Sequence, residues 1–85
     1  MHGEFTVYIL RGSQGRYIGL TSDLHKRLEQ HNSGKSTFTK GRGPWVVEWA
    51  SYTMTHYSAL ELEKKMKRQK GGQGLSQLMR LYVNK

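Results

Sequence analysis

The stretch Thr6-Val7-Tyr8-Ile9-Leu10-Arg11-Gly12-Ser13-Gln14-Gly15-Arg16-Tyr17-Ile18-Gly19-Leu20 decides how this chain folds. Its two flanks are apolar, strand-like runs that each carry a tyrosine, and Gly12-Ser13-Gln14-Gly15 between them is turn chemistry. A hairpin closed with Arg11 opposite Arg16 sets Leu10 against Tyr17, Ile9 against Ile18 and Tyr8 against Gly19. Side chains alternate across a strand, so Tyr8, Leu10, Tyr17 and Gly19 then share one face. A glycine opposite a tyrosine leaves space beside the ring, and two phenols next to a gap make a candidate reactive face. The register carries this reading, because a slip of one residue sends Tyr8 and Tyr17 to opposite faces.

Working outward, Phe5 to Arg11 and Arg16 to Leu20 are the first two predicted strands. Thr21, Ser22 and Asp23 offer caps for a helix from Leu24 to about Asn32, which Ser33-Gly34 ends. Lys35 to Pro44 is a polar, basic loop broken by Gly41, Gly43 and Pro44. Trp45 to Thr53, rich in aromatic and β-branched residues, is the third predicted strand. Thr55 or Ser58 caps a second helix that runs to about Gln69, and Ser58 with Glu61 has the capping-box spacing. Gly71, Gly72 and Gly74 break it, and Leu75 to Tyr82 forms a last helix with Leu75, Leu78, Met79 and Tyr82 on one side. Without an internal repeat or linker, residues 1–85 read as one α+β domain.

A chain of 85 residues that is 35% hydrophobic holds one modest core. It contains no cysteine, which excludes disulfides and thiolate metal sites and fits a cytoplasmic setting better than a secreted one. No apolar run is long enough to span a membrane. Fourteen Lys and Arg against 6 acidic residues give a net charge of +8, which favours a polyanionic partner, nucleic acid before an anionic membrane surface. The basic residues are spread over several segments, unlike a membrane-seeking amphipathic helix.

Three charged or titratable residues fall on apolar helix faces. In the first helix Leu24 and Leu28 define the inward side, and Arg27 and His31 share it. In the second helix Ala59, Leu62 and Met66 define the inward side, and Glu63 lies on that stripe. A charge there costs stability unless it is paired, holds a metal or reaches water in a cleft. Together with Tyr8 and Tyr17 these residues outline a polar pocket between sheet and helices. Plainer readings stand beside this one. Arg27 and Glu63 pair at the core edge, or Glu63 is solvated at the stripe margin. His31 caps its helix as a cation. Tyr8 and Tyr17 are ordinary half-buried strand residues. The run Lys64, Lys65, Lys67, Arg68 and Lys70 is a solvated face or a set of phosphate contacts.

The chain resembles the GIY-YIG nuclease domain over nearly its whole length. Tyr17-Ile18-Gly19 matches the second motif in full, and Thr6-Val7-Tyr8 matches the first in its apolar residue and tyrosine, with Thr6 in place of the leading glycine. Leu20 to Gly34 looks like the family's helix, with its arginine at Arg27 and its histidine at His31. Arg42-Gly43-Pro44-Trp45 resembles the loop leading into the third strand, and Ala59 to Lys67 resembles the helix that supplies a metal-binding glutamate, at Glu63. The resemblance implies a small three-stranded antiparallel sheet flanked by helices, with the active site on one sheet face. It implies hydrolysis of phosphodiester bonds in DNA with one divalent ion, magnesium or manganese, held by Glu63. Tyr8 and Tyr17 then lie beside the scissile phosphate, one of them as general base. Arg27 stabilises the transition state, His31 assists proton transfer or binds phosphate, and Gly19 is structural.

Some members carry a further basic residue after the second motif, where this chain has Leu20 and Thr21; Lys35, Lys40 and Arg42 in the loop are candidates to supply that charge. Lys64 and Lys67 are further candidates for nucleic-acid contact. Phe38, Trp45 and Trp49 are readable as stacking platforms for unpaired bases. Trp45 and Trp49 share parity on the third strand and are equally readable as core. The resemblance reads the chain as the catalytic module alone, a monomer or weak dimer, with selectivity from the module, nucleic-acid shape or a partner. Two other readings compete with the nuclease: a basic nucleic-acid-binding module that kept the fold and lost the chemistry, and an assembly subunit.

Overall fold

The computed structural model describes residues 4–35, 39–69 and 72–83. Phe38, Lys70 and Gly71, singled out above, lie outside the described residues. Strand β1 (Thr6–Gly12) and strand β2 (Gly15–Thr21) form the predicted antiparallel hairpin, with Arg11 opposite Arg16, Leu10 opposite Tyr17 and Tyr8 opposite Gly19. Strand β3 (Val46–Ala50) pairs antiparallel on the other edge of β1, giving the sheet order β2-β1-β3.

Helix α1 (Leu24–Asn32) starts at Asp23, whose carboxylate accepts the Lys26 amide at 3.1 Å, satisfying one of the donors a helix start leaves unpaired. Helix α2 (His56–Gln69) is capped by Thr55, whose hydroxyl accepts the Ser58 amide at 3.1 Å. Thr55 is therefore the cap and Ser58 sits inside the first turn. Helix α3 (Gly72–Tyr82) begins ahead of the predicted Leu75, so Gly72 and Gly74 open the helix instead of only separating it from α2. Gln69 packs where a Cβ on Gly74 would stand, which lets the end of α2 and the start of α3 meet closely.

The alternation along β1 builds the layers. Val7 and Ile9 point into the larger core with Trp49, Met54, Ala59, Leu62, Met66 and Leu75, beneath α2 and α3. Tyr8 and Leu10 point the other way, with Trp45, and pack against Tyr17 and against Leu24 and Leu28 of α1. The expected inward residues of α2 (Ala59, Leu62 and Met66) are its buried ones. Each large apolar side chain so buried contributes roughly 1.5–3 kcal/mol.

Trp45 and Trp49 are both buried, yet they belong to opposite faces despite their shared parity. The cause is an irregularity in the β1–β3 ladder: Ile9 pairs with Trp49 and Leu10 with Val47, leaving Glu48 as an extra residue. A bulge of this kind resets the alternation of the strand that carries it. The Glu48 carboxylate accepts two hydrogen bonds from Arg16, at 2.9 and 2.7 Å, and lies 3.2 Å from Arg11. Beyond Ala50 the predicted strand gives way to single bridges, Ser51 to Val83 and Met54 to Phe5.

Candidate active site

The hairpin register builds the site. Tyr8 is 1% exposed, and its phenol crosses the space that Gly19 leaves open. A Cβ on Gly19 would stand 2.7 Å from Tyr8 Oη and 2.9 Å from a ring carbon of Tyr17. Only glycine lets both rings lie there. The two ring centroids are 6.2 Å apart.

Helix α1 closes this face. Arg27 and His31 are one turn apart and so share a side of the helix. His31, 2% exposed, lies with its ring centroid 4.8 Å from that of Tyr17 and its Nε2 3.0 Å from Tyr8 Oη. Its other nitrogen, Nδ1, lies 2.7 Å from the hydroxyl of Thr39, itself 1% exposed. The Arg27 guanidinium donates to Gln30 Oε1 at 2.9 Å, and its charge lies beside the phenols of Tyr8 and Tyr17.

These contacts set the charges. Burial pushes the Tyr8 phenol up to about 12, offset in part by the hydrogen bond from Arg27; Tyr17 and the negative charge of Glu63 add to the rise. Burial works against the charge of Arg27, but hydrogen bonding to Tyr8 and then to Tyr17 outweighs it, and the guanidinium is held above its ordinary value. Burial, and then the neighbouring Arg27, lower the pKa of His31. At neutral pH the site therefore holds a protonated phenol, a neutral imidazole and a permanent cation. A neutral ring nitrogen touching a phenol can move its proton, and a guanidinium beside both can stabilise an anion.

The structure thus brings together Tyr8, Tyr17, Arg27 and His31. Glu63, on α2, makes no hydrogen bond or ion pair with these four among the described residues; its negative charge adds the smallest part of the rise at Tyr8. Its side chain is 18% exposed and pairs with Lys67 at 3.2 Å, so the Arg27–Glu63 pair is not formed. His31 does occupy the last turn of α1, but buried and neutral instead of as a capping cation. Among the described residues no three His, Cys, Asp or Glu side chains cluster as a metal cage. Lys35, Lys40, Arg42 and Lys64 are exposed, and Lys67 is exposed while bound to Glu63. The Arg42 carbonyl accepts hydrogen bonds from the amide and hydroxyl of Ser13 at 2.9 and 3.0 Å, tying the loop to the hairpin tip.

Thr39, Gln30 and Asn32 are not singled out by the sequence as residues of the site. Asn32 brackets the main chain of Trp45, accepting its amide at 2.6 Å and donating to its carbonyl at 3.0 Å. Nothing periodic distinguishes Thr39 from its polar neighbours Ser36 and Thr37 in the sequence.

A family model described as the GIY-YIG catalytic domain matches residues 4–76. A UPF0213 protein of Aeromonas salmonicida (strain A449) is 38% identical over 69 residues, covering 79% of this chain and 51% of that protein. A UPF0213 protein of Vibrio campbellii (strain ATCC BAA-1116) is 41% identical over 49 residues, 55% of this chain and 47% of that one. A UPF0213 protein of Oceanobacillus iheyensis is 36% identical over 69 residues, 79% of this chain and 80% of that one. The matched region spans about half the length of the first two relatives. No helix among the described residues is long and apolar enough to cross a membrane. The hairpin, the helix that closes over it and the extent of the match lead to one conclusion: the chain belongs to the GIY-YIG catalytic domain family, a nuclease-type family.

Proposed function

We propose that this protein is a metal-dependent endonuclease that hydrolyses phosphodiester bonds in DNA. The observation that carries the reading is the buried Tyr8 phenol in contact with neutral His31 and beside the Arg27 guanidinium, on one face of a chain of net charge +8. A phosphodiester transition state gathers negative charge on its equatorial oxygens, and Arg27 offers them a permanent planar cation. Tyr8 or Tyr17 accepts the proton of the attacking water. A phenol held up to about 12 is no base until it has lost its own proton. His31, neutral and 3.0 Å away, is the group that takes it from Tyr8.

Glu63 holds the divalent ion. Magnesium prefers oxygen ligands, keeps several waters and is commonly bound through one or two carboxylates together with substrate phosphates. A half-buried carboxylate that belongs to no cluster of three or more His, Cys, Asp or Glu among the described residues, and whose ion pair is with an exposed lysine, fits that demand and suits magnesium or manganese. When bound, the ion supplies positive charge to the phosphate oxygens and acidifies water. Lys35, Lys40, Arg42, Lys64 and Lys67 hold the nucleic-acid backbone, positioning it without reading sequence.

The test uses end-labelled single-stranded, duplex and branched DNA with magnesium or manganese, against EDTA. We expect metal-dependent cuts that vanish in Glu63→Ala while DNA binding persists, and that fall by about 10²–10³ in Arg27→Ala. Near-normal turnover in either folded variant overturns the site assignment. Salt-sensitive binding with no cutting of any substrate selects the binding-module reading instead.

A further inference from the structure

We infer that Thr39 is a positioning residue: its buried hydroxyl accepts the Nδ1 proton of His31 and so keeps Nε2 a bare acceptor facing Tyr8. For its role in cleavage this rests on the nuclease reading; for the structure of the site it stands alone.

A neutral imidazole carries one donor and one acceptor nitrogen, and the partner of one fixes the role of the other. In His31 both nitrogens are engaged, Nε2 with Tyr8 Oη at 3.0 Å and Nδ1 with Thr39 Oγ1 at 2.7 Å. Tyr8, His31 and Thr39 are all 2% exposed or less, so bulk water does not compete. Hydroxyl groups at both ends leave two assignments, and Arg27 separates them. A guanidinium only donates and carries a permanent positive charge, and that charge lies beside the Tyr8 oxygen. With a proton on Nε2, the phenol would face a donor on one side and a cation on the other, and its own hydrogen would have to turn away from both. With Nε2 bare, the phenol donates to His31 and keeps its lone pairs toward the Arg27 charge, and each group is used once. The Nδ1 proton then has Thr39 as its acceptor.

Thr39 is held so that it can serve. Its carbonyl accepts the Trp45 indole N–H at 3.1 Å and the Arg42 amide at 3.2 Å, and Asn32 fixes the Trp45 main chain in turn. A β-branched side chain on an anchored backbone has few rotamers to choose from. The hydroxyl keeps one hydrogen of its own to place. His31 and Thr39 border an open pocket of about 360 Å³ rimmed by Gly34, Gly41 and Gly43, roomy enough for water. In the step this arrangement serves, the Tyr8 O–H bond breaks and an Nε2–H bond forms. Phenolate and imidazolium result, the first beside Arg27 and the second still donating through Nδ1 to Thr39.

The experiment is long-range proton–nitrogen NMR of the imidazole rings in the ¹⁵N-labelled full chain, near neutral pH and without metal, with cleavage assays in parallel. Wild type, Thr39→Val and Thr39→Ser are compared. We expect the Nδ1–H tautomer of His31 in wild type and a shift toward Nε2–H in Thr39→Val, with cleavage at least tenfold slower at unchanged KM. Thr39→Ser, which restores the hydroxyl, should restore both. An Nε2–H tautomer in wild type overturns the inference, and so does an unaltered Nδ1–H tautomer in Thr39→Val. The wild-type spectrum decides even if Thr39→Val does not fold. Because the tautomer is read on protein that need not cut anything, failure of the nuclease reading is distinguishable from failure of this one.

Discussion

Tyr8 carries most of what is chemically unusual in this protein, and its titration is open to measurement. Its ordinary pKa is near 10, the value expected in the unfolded chain, and burial raises it to about 12 in the folded one. Between those values the unfolded state gives up its proton first, so the folded state binds more protons and stability falls as pH rises. The contribution is fully present below pH 10 and gone above about 12; two pKa units at about 1.4 kcal/mol each put it on the order of 3 kcal/mol. Urea unfolding of wild type and Tyr8→Phe from pH 8 to 12 should show the wild-type advantage shrinking through that window, with the variant lacking this component. A constant difference across the range would show that burial does not hold the proton on Tyr8. The sequence points to this residue through the glycine placed opposite it. It does not point to Thr39, because a hydroxyl in a polar loop carries no periodicity and the partner eight residues away comes within reach only when the loop folds back.

Helices α2 and α3 show how far a 3.6-residue pattern reaches. Leu75, 3% exposed, locks α3 into the core beside Trp49, while Leu81 in the same helix is 67% exposed. Leu75→Ala should lower the unfolding free energy by about 2–5 kcal/mol, with its urea midpoint shifted at unchanged slope. Leu81→Ala should stay within about 0.5 kcal/mol of wild type. Equal effects would mean that α3 does not dock through the face assigned to it. Strand β3 marks the limit of pattern reading. A period of two assigns Trp45 and Trp49 to one face, and the extra residue at Glu48 divides them between two. A bulge has no signature in the apolar pattern itself. Here it shows only in where Arg11 and Arg16 bring their charge, since both converge on Glu48.

Charge is the property of the assembled protein that reaches furthest. With a net charge of +8 and Lys35, Lys40, Arg42 and Lys64 exposed, binding to DNA should be governed by counterion release. If about four of these contact duplex phosphates, the logarithm of the affinity should fall against the logarithm of salt with a slope of about −3.6. Lys40→Ala should reduce that slope by about 1 and weaken binding alike across sequences. A flat salt dependence, measured by anisotropy on labelled duplexes, would remove backbone contact as the basis of binding and favour the assembly-subunit reading. Local pattern reaches the hairpin, whose assumed register the structure bears out, the three helices and the inward residues of α2, and it places Tyr8 and Tyr17 on one strand face and Arg27 and His31 on one helix face, because each depends on spacing within a turn or a strand pair. Tertiary packing alone settles that Trp45 and Trp49 part company and that Thr39 meets His31. Those outcomes depend on where a bulge falls and how a loop closes over a helix, and such long-range geometry is fixed by volume and hydrogen-bond satisfaction once the layers meet.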